Sequence, residues 1–242
     1  MQKIKLVLEY DGSRFSGFAP QKGSINTVYK ALKDSFVSIG IKNDFNASGR
    51  TDRGVHASFQ VIDIVIPLFW NDLERLKREL NKKLKPYIKI KSISKVDMSF
   101  HSRYSAKRRV YRYIIKVGEF EPFLSSYVCF VKSINQELIK EAIKEFEGVY
   151  DFDSFKKAHG GTTNYIREIY KTRFYKYKDY YIFYFEANGY LRSQIRLMVD
   201  FLLKISDKKL TIQHLKEQLQ NKKVYSRTLA DASGLYLAKV KY

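Results

Sequence analysis

Apolar and polar residues alternate from Lys3 to Tyr10, which predicts a strand, and Asp11-Gly12 predicts the turn that ends it. A loop rich in Gly and Ser follows, from Ser13 to Ser24. Thr27 then reads as the N-cap of a helix with Val28, Leu32, Phe36 and Ile39 on one face and Gly40 at its end. Phe59, Val61, Ile64 and Ile66 mark a second strand, closed by Pro67. Asn71 reads as the cap of a second helix carrying Leu73, Leu76, Leu80 and Leu84, stopped before Pro86, and Ile88 to Val96 reads as a third strand. Strand, helix, strand, helix, strand is the pattern of an α+β layer.

The second half repeats the theme. Phe100 to Arg109 is basic and poor in apolar residues, so it reads as a link. Val110 to Val117 is a strand with Tyr111 and Tyr113 on one face and Arg112 on the other. A helix is predicted from Asn135 to Phe146 with Gly148 as its stop, then a loop containing His159-Gly160-Gly161-Thr162-Thr163. Strands Ile166 to Tyr177 and Tyr180 to Ala187 flank a tight turn at Lys178-Asp179. Helical spacing runs from Tyr190 to Ile205, Thr211 caps a last helix to Leu219, and Leu235 to Val240 is a final strand. The predicted fold class is α+β. Two similar halves, residues 1–99 and 100–242, each a mainly antiparallel sheet with helices on one face, are expected to meet at a basic central cleft.

Composition sharpens the picture. At 242 residues and 45% hydrophobic, the chain can bury a proper core. Lys and Arg number 45 against 25 Asp and Glu, a net charge of +20, and there are 19 Tyr and 17 Phe. Cations for phosphates and rings for bases are what a polyanionic, base-bearing partner calls for. Cys129 is the only cysteine, so no internal disulfide and no thiolate zinc cluster can form, which fits a reducing compartment. The first residues lack a signal-peptide core, and charges interrupt every apolar run. The expectation is a soluble, cytoplasmic protein.

The candidate chemistry sits in Ala47-Ser48-Gly49-Arg50-Thr51-Asp52-Arg53-Gly54-Val55-His56-Ala57. If the backbone around Asp52 is extended, Arg50 and Asp52 point the same way, and a guanidinium beside the carboxylate favours its ionised form. Such an aspartate can be a nucleophile, a general base, a metal ligand or a structural ion-pair member. For an isolated Arg-x-Asp in a loop, the structural pair is the commoner reading. His56 reads as a loop-ordering hydrogen-bond donor and Asp11 as a turn residue. No Walker loop, dinucleotide fingerprint, HExxH helix or GxSxG elbow occurs, and nothing demands a metal or an organic cofactor.

Gly49-Arg50-Thr51-Asp52-Arg53-Gly54-Val55-His56-Ala57 resembles the catalytic motif of the tRNA pseudouridine synthase A family, whose usual form has Ala where Arg53 stands. Tyr10-Asp11-Gly12 with Phe15-Ser16-Gly17 resembles the family's opening loop. Phe100-His101-x-Arg103-x-Ser105-Ala106 with Tyr111-Arg112-Tyr113 resembles its central motif. Later landmarks fall in order at Asp153, Phe155, Arg167-Glu168-Ile169, Gly234-Leu235, Val240 and Tyr242. The chain departs from the pattern at Phe18, usually Trp, at Leu197 and Asp200 in the helix that carries Arg196, and at Asp231, often Pro.

The resemblance implies a pseudouridine synthase fold and conversion of uridines in the anticodon stem-loop of tRNA, by a homodimer that uses no cofactor. It implies Asp52 as nucleophile on a flipped-out uridine, Arg50 as the residue that extrudes the base or fills its place, and Tyr111 stacked on the uracil. Arg196 is implied to keep Asp52 ionised. Arg53, Arg103, Lys107, Arg108 and Arg109 are expected to contact phosphates. Two rival readings are a non-catalytic RNA-binding protein of the same fold and a metal-dependent ribonuclease built on Asp52, Asp11 and His56.

Overall fold

The alternation at the N-terminus is realised as strand β1 (Gln2–Tyr10), in which Ile4, Leu6, Leu8 and Tyr10 are buried. The computed structural model describes residues 1–20, 26–157 and 163–242. After β1 and a 3-10 turn (Gly12–Arg14) come α1 (Val28–Val37), β2 (Phe45–Ala47), β3 (His56–Ile66), α2 (Leu73–Leu84) and β4 (Ile88–Lys95). Next are β5 (Arg108–Val117), β6 (Cys129–Val131), α3 (Gln136–Ala142) with a 3-10 extension (Ile143–Phe146), and β7 (Gly148–Asp151). A 3-10 turn (Asp153–Phe155), β8 (Ile166–Tyr177), β9 (Tyr180–Ala187), α4 (Gln194–Ser206), α5 (Ile212–Leu219) and β10 (Leu235–Lys241) complete the chain. The class is α+β, with mainly antiparallel sheet. The chain divides into two compact units, Met1–Lys107 with Tyr236–Tyr242, and Arg108–Leu235.

In the first unit β1 lies between β3 and β4, antiparallel to both, with Leu6 opposite Ile62 and Ile93. The other edge of β3 takes β2 at its Ile62–Ile64 end, antiparallel, and β10 at His56 and Ala57, parallel. Thr27 caps α1 by accepting from the Lys30 amide, and Val28, Leu32 and Phe36 are buried. Phe36 meets Phe45 of β2 edge-on, with ring centroids 5.8 Å apart. The cap of α2 is Asp72 rather than the predicted Asn71: its carboxylate accepts from the Arg75 amide at 2.8 Å.

The division at residue 100 is corrected by this unit. The link 100–107 and the final strand both fold with the N-terminal residues. The reason is a buried carboxylate: Asp63 of β3 accepts from the Ser102 amide at 2.7 Å and pairs with Lys3 at 3.3 Å. Ser102 in turn gives its carbonyl to the Tyr242 hydroxyl at 2.9 Å.

In the second unit β9 lies between β5 and β8, antiparallel to both, β7 continues antiparallel beyond β8, and β6 runs parallel to β5. The β8–β9 hairpin turns at Lys178-Asp179 as predicted, with Lys178 at φ +53. Phe146, Phe152, Phe155, Phe183, Phe185 and Phe201 fill its core. The α-helical part of α3 stops at Ala142, its last turn tightens to 3-10, and Gly148 opens β7 at φ +121. Helix α4 starts at Gln194, four residues later than predicted. Leu191 is buried without being helical, because the Gln194 side chain accepts its amide at 2.8 Å. Part of the predicted opening loop, residues 21–24, and His159-Gly160-Gly161-Thr162 lie outside the described residues. Among the described residues no helix is long and apolar enough to cross a membrane.

Candidate active site

Asp52 stands at the tip of the β2–β3 connection, and both sides of that loop are tied down. On the entry side the Ser48 amide extends the strand ladder to the Val61 carbonyl at 2.8 Å. The Ser48 hydroxyl donates to Gln60 at 2.6 Å, and the Gln60 amide donates to the Gly49 carbonyl at 2.9 Å. Ser48 and Gln60 are buried, so these bonds satisfy groups that would otherwise destabilise the fold. Thr51 is the next anchor. Its hydroxyl shares a 2.8 Å hydrogen bond with the Tyr10 hydroxyl, and its carbonyl accepts from the Phe18 amide at 3.0 Å. Phe18 contributes through its backbone, so the loss of the usual Trp leaves this anchor in place.

The exit side is a tight turn. The Val55 amide donates to the Asp52 carbonyl at 3.1 Å, and Gly54 adopts φ +78, a conformation that costs glycine nothing. Val55 and His56 are buried immediately afterwards. The His56 Nδ1 accepts from the Gly12 amide at 3.0 Å. A Cβ on Gly12 would lie 1.9 Å from the Val55 carbonyl oxygen, so only glycine fits there. The Asp11 carboxylate accepts from the Ser13 amide at 3.0 Å and caps the short turn, as its reading as a turn residue predicts.

Between these anchors Arg50 is exposed, Thr51 buried and Asp52 half-buried. Arg53 is exposed. A carboxylate held by the backbone on both sides, with cations one and two residues away, can act as a nucleophile or base without first ordering its own loop.

The second unit carries the other residues singled out by the sequence. Tyr111 of β5 is buried, and Tyr190 meets it edge-on at 5.2 Å. Tyr113, two residues on, is fully buried and donates to the Asp231 carbonyl at 2.8 Å; burial raises its phenol well above the ordinary range. Arg196 of α4 is half-buried. It donates from Nε to the Ala230 carbonyl at 2.7 Å, while its own carbonyl accepts from the Ala230 amide at 3.1 Å. The unusual residues near it are absorbed locally. Leu197 is core, and Asp200 pairs with Lys204 at 2.9 Å and accepts from Ser226 at 3.1 Å. The Asp231 carboxylate accepts from the Ser233 amide at 2.8 Å.

The candidate phosphate contacts differ in their surroundings. Arg53, Arg103 and Lys107 are exposed. Arg108 pairs with buried Glu186 at 3.1 Å and lies 4.4 Å over the Tyr170 ring. Glu186 also accepts from Tyr184 at 2.7 Å, and burial, then that carboxylate, pushes the Tyr184 phenol up to about 12. Arg109 donates to the Asn188 carbonyl at 2.9 Å. Sequence reasoning missed the anchors themselves, namely Tyr10 with Thr51, Ser48 with Gln60, and Gly12 with His56. Sequence reasoning read His56 as a loop-ordering donor, and the bond seen at Nδ1 is one that it accepts, from the Gly12 amide.

A sequence profile of the family described as tRNA pseudouridine synthase matches residues 6–105 and 142–242. A tRNA pseudouridine synthase A from Campylobacter jejuni is 40% identical over 242 residues, covering all of both chains. One from Helicobacter hepaticus is 40% identical over 247 residues, and one from Helicobacter pylori 35% over 246, again over the full length of both chains.

Proposed function

We infer that this chain, which belongs to the tRNA pseudouridine synthase family, converts uridines of tRNA to pseudouridine with Asp52 as its nucleophile. The observation that supports this most directly is the loop itself: Asp52 is half-buried between exposed Arg50 and Arg53, while Thr51 and Val55 are buried and hydrogen-bonded. The reaction is an isomerisation. The bond from ribose C1′ to uracil N1 breaks, a bond from C1′ to C5 forms, the C5 proton leaves and N1 gains one. Nothing is oxidised or reduced, so acid, base and nucleophile suffice.

A uridine in a stem must leave the stack to be reached. Arg50, exposed beside Asp52, is suited to fill the space the base vacates or to hold its phosphate. By resemblance Tyr111 stacks on the uracil, an interaction of about 1–3 kcal/mol per base, and Arg196 supplies the positive charge that keeps the reacting carboxylate ionised. The net charge of +20 suits a polyanionic substrate. Family resemblance extends the proposal to uridines of the anticodon stem-loop, to a homodimer across which one tRNA lies, and to a cytoplasmic location.

Release of tritium from C5-labelled uridine in tRNA tests the assignment. Asp52→Ala is expected to lose at least about a thousandfold in rate while still binding tRNA. Equal release by the variant and the wild type would exclude Asp52 as nucleophile. Binding without any tritium release by the wild type would favour the non-catalytic reading, and chelator-sensitive shortening of the RNA would favour the ribonuclease.

A further inference from the structure

We propose that His56 is a positioning residue for Asp52, acting through the Nδ1 lone pair that holds the Gly12 turn against the far end of the nucleophile loop. This rests on the reading of Asp52 as nucleophile and concerns how its carboxylate is kept in place.

The Gly12 amide can only donate, so the 3.0 Å contact requires an unprotonated Nδ1 and puts the ring proton on Nε2. The ring is 2% exposed and stacks on Tyr236 of β10, with centroids 4.7 Å apart and planes within 18°. A ring flipped about Cβ–Cγ would set Cδ2–H against the Gly12 N–H and leave that amide with nothing on the ring to accept it. The Asp11 carboxylate oxygen lies 3.4 Å from Nδ1, but its charge is already engaged by the Ser13 amide and hydroxyl, at 3.0 and 2.7 Å, and by Arg14 at 3.7 Å. The orientation of the imidazole is therefore fixed by an amide, a stacking partner and a shielded carboxylate together.

The path to Asp52 is short. Gly12 packs on the Val55 carbonyl with no room for a side chain, and the Val55 amide closes the turn onto the Asp52 carbonyl at 3.1 Å. The entry side is held separately, by Thr51 on Tyr10 and Phe18. Releasing the Gly12 turn would remove one of the exit-side anchors and loosen the hold on the Asp52 side chain. A displacement of about 1 Å at a reacting group can cost about a hundredfold in rate.

The test compares His56→Asn with His56→Leu. An asparagine amide oxygen falls close to the place of Nδ1 and can accept from Gly12, whereas leucine fills volume without accepting. Gly12 amide exchange, melting temperature, and kcat and KM for C5 tritium release are measured on each full-length variant, with Asp52→Ala in the same assay. The expected result for His56→Leu is a fast-exchanging Gly12 amide and a kcat about 10–100-fold down, with KM for tRNA within about threefold. His56→Asn is expected to protect Gly12 and recover at least about tenfold of that kcat, although without the ring it melts below the wild type. Should the leucine variant fail to fold, His56→Gln, whose amide oxygen falls near Nε2 instead, takes its place as the non-accepting control. Equal kcat for the asparagine variant and the control, or a control as fast as the wild type, would overturn the positioning role. An active Asp52→Ala would instead overturn the nucleophile assignment, so the two failures are separable.

Discussion

The hydroxyls of Tyr10 and Thr51 lie 2.8 Å apart in buried surroundings, one residue before Asp52. Removing either partner leaves the other hydroxyl buried without this bond, at about 1–3 kcal/mol, whereas removing both leaves an apolar contact. Tyr10→Phe and Thr51→Val are therefore expected to be non-additive, with the double variant about 1 kcal/mol more stable than the sum of the single losses requires. Urea unfolding of the four proteins in this cycle reads the coupling directly. Strict additivity would mean that the bond does not anchor the loop.

Asp63 gives the first unit a defined response to acid. Burial pushes its carboxyl upward, but the Ser102 amide, the Asn46 side chain and the Lys3 charge outweigh it and hold the group below its ordinary value. A depressed folded-state pKa stabilises the fold above the unfolded value of about 3.9, and that contribution is lost as pH falls through the lower folded value. Asp63→Asn is expected to be destabilised by about 3 kcal/mol or more at neutral pH, because Lys3 then loses the buried carboxylate it pairs with at 3.3 Å. The gap to the wild type should close below about pH 4 as Asp63 itself becomes neutral. A gap that stays constant down to pH 2 would show that shape rather than charge links Ser102 to β3.

Salt dependence should divide the basic residues. Arg53, Arg103 and Lys107 are exposed, so each alanine variant is expected to lower the slope of log affinity for tRNA against log salt by about 0.7–0.9. Arg108 is committed elsewhere, to Glu186 at 3.1 Å and to the Tyr170 face. Its alanine variant should leave the slope within error and lower the melting temperature, since buried Glu186 would lose the Arg108 guanidinium. A reduced slope with unchanged melting for Arg108→Ala would reverse that assignment.

What the sequence made legible follows from the range of each signal. Thr27 and Thr211 cap helices as read because a cap is a contact over three residues, readable in a local window. The Lys178-Asp179 hairpin is local too. Strands β2, β6 and β7 have three or four residues each, too few for alternation to register, and escaped notice. The boundary at residue 100 failed for a different reason. The link belongs with β3 through Asp63, 39 positions away from Ser102, and no periodicity carries that information. At the candidate site the motif singled out Asp52, yet His56 and Gly12 are 44 positions apart, so their bond could not be read from either local pattern. Asp11-Gly12 was legible as a turn, but its lack of space for a side chain comes from Val55 in another element.

The last prediction concerns the partner ring of Tyr111. Tyr190 meets Tyr111 edge-on at 5.2 Å, and among the described residues its buried hydroxyl has no hydrogen-bond partner. Burial pushes that phenol well above the ordinary tyrosine range, the expected response of a group removed from water without compensation. Tyr190→Phe keeps the edge contact and deletes only the hydroxyl. It should therefore gain about 1 kcal/mol, raising the melting temperature by about 2–4 °C in a chain of this size. Tritium release should stay at the wild-type rate, because the ring that braces Tyr111 is retained. Tyr190→Leu removes that ring and is expected to slow the reaction as well as to destabilise the second unit. A Tyr190→Phe variant that melts below the wild type would show that the hydroxyl is engaged in solution, and a slow one would place that engagement in the reaction itself.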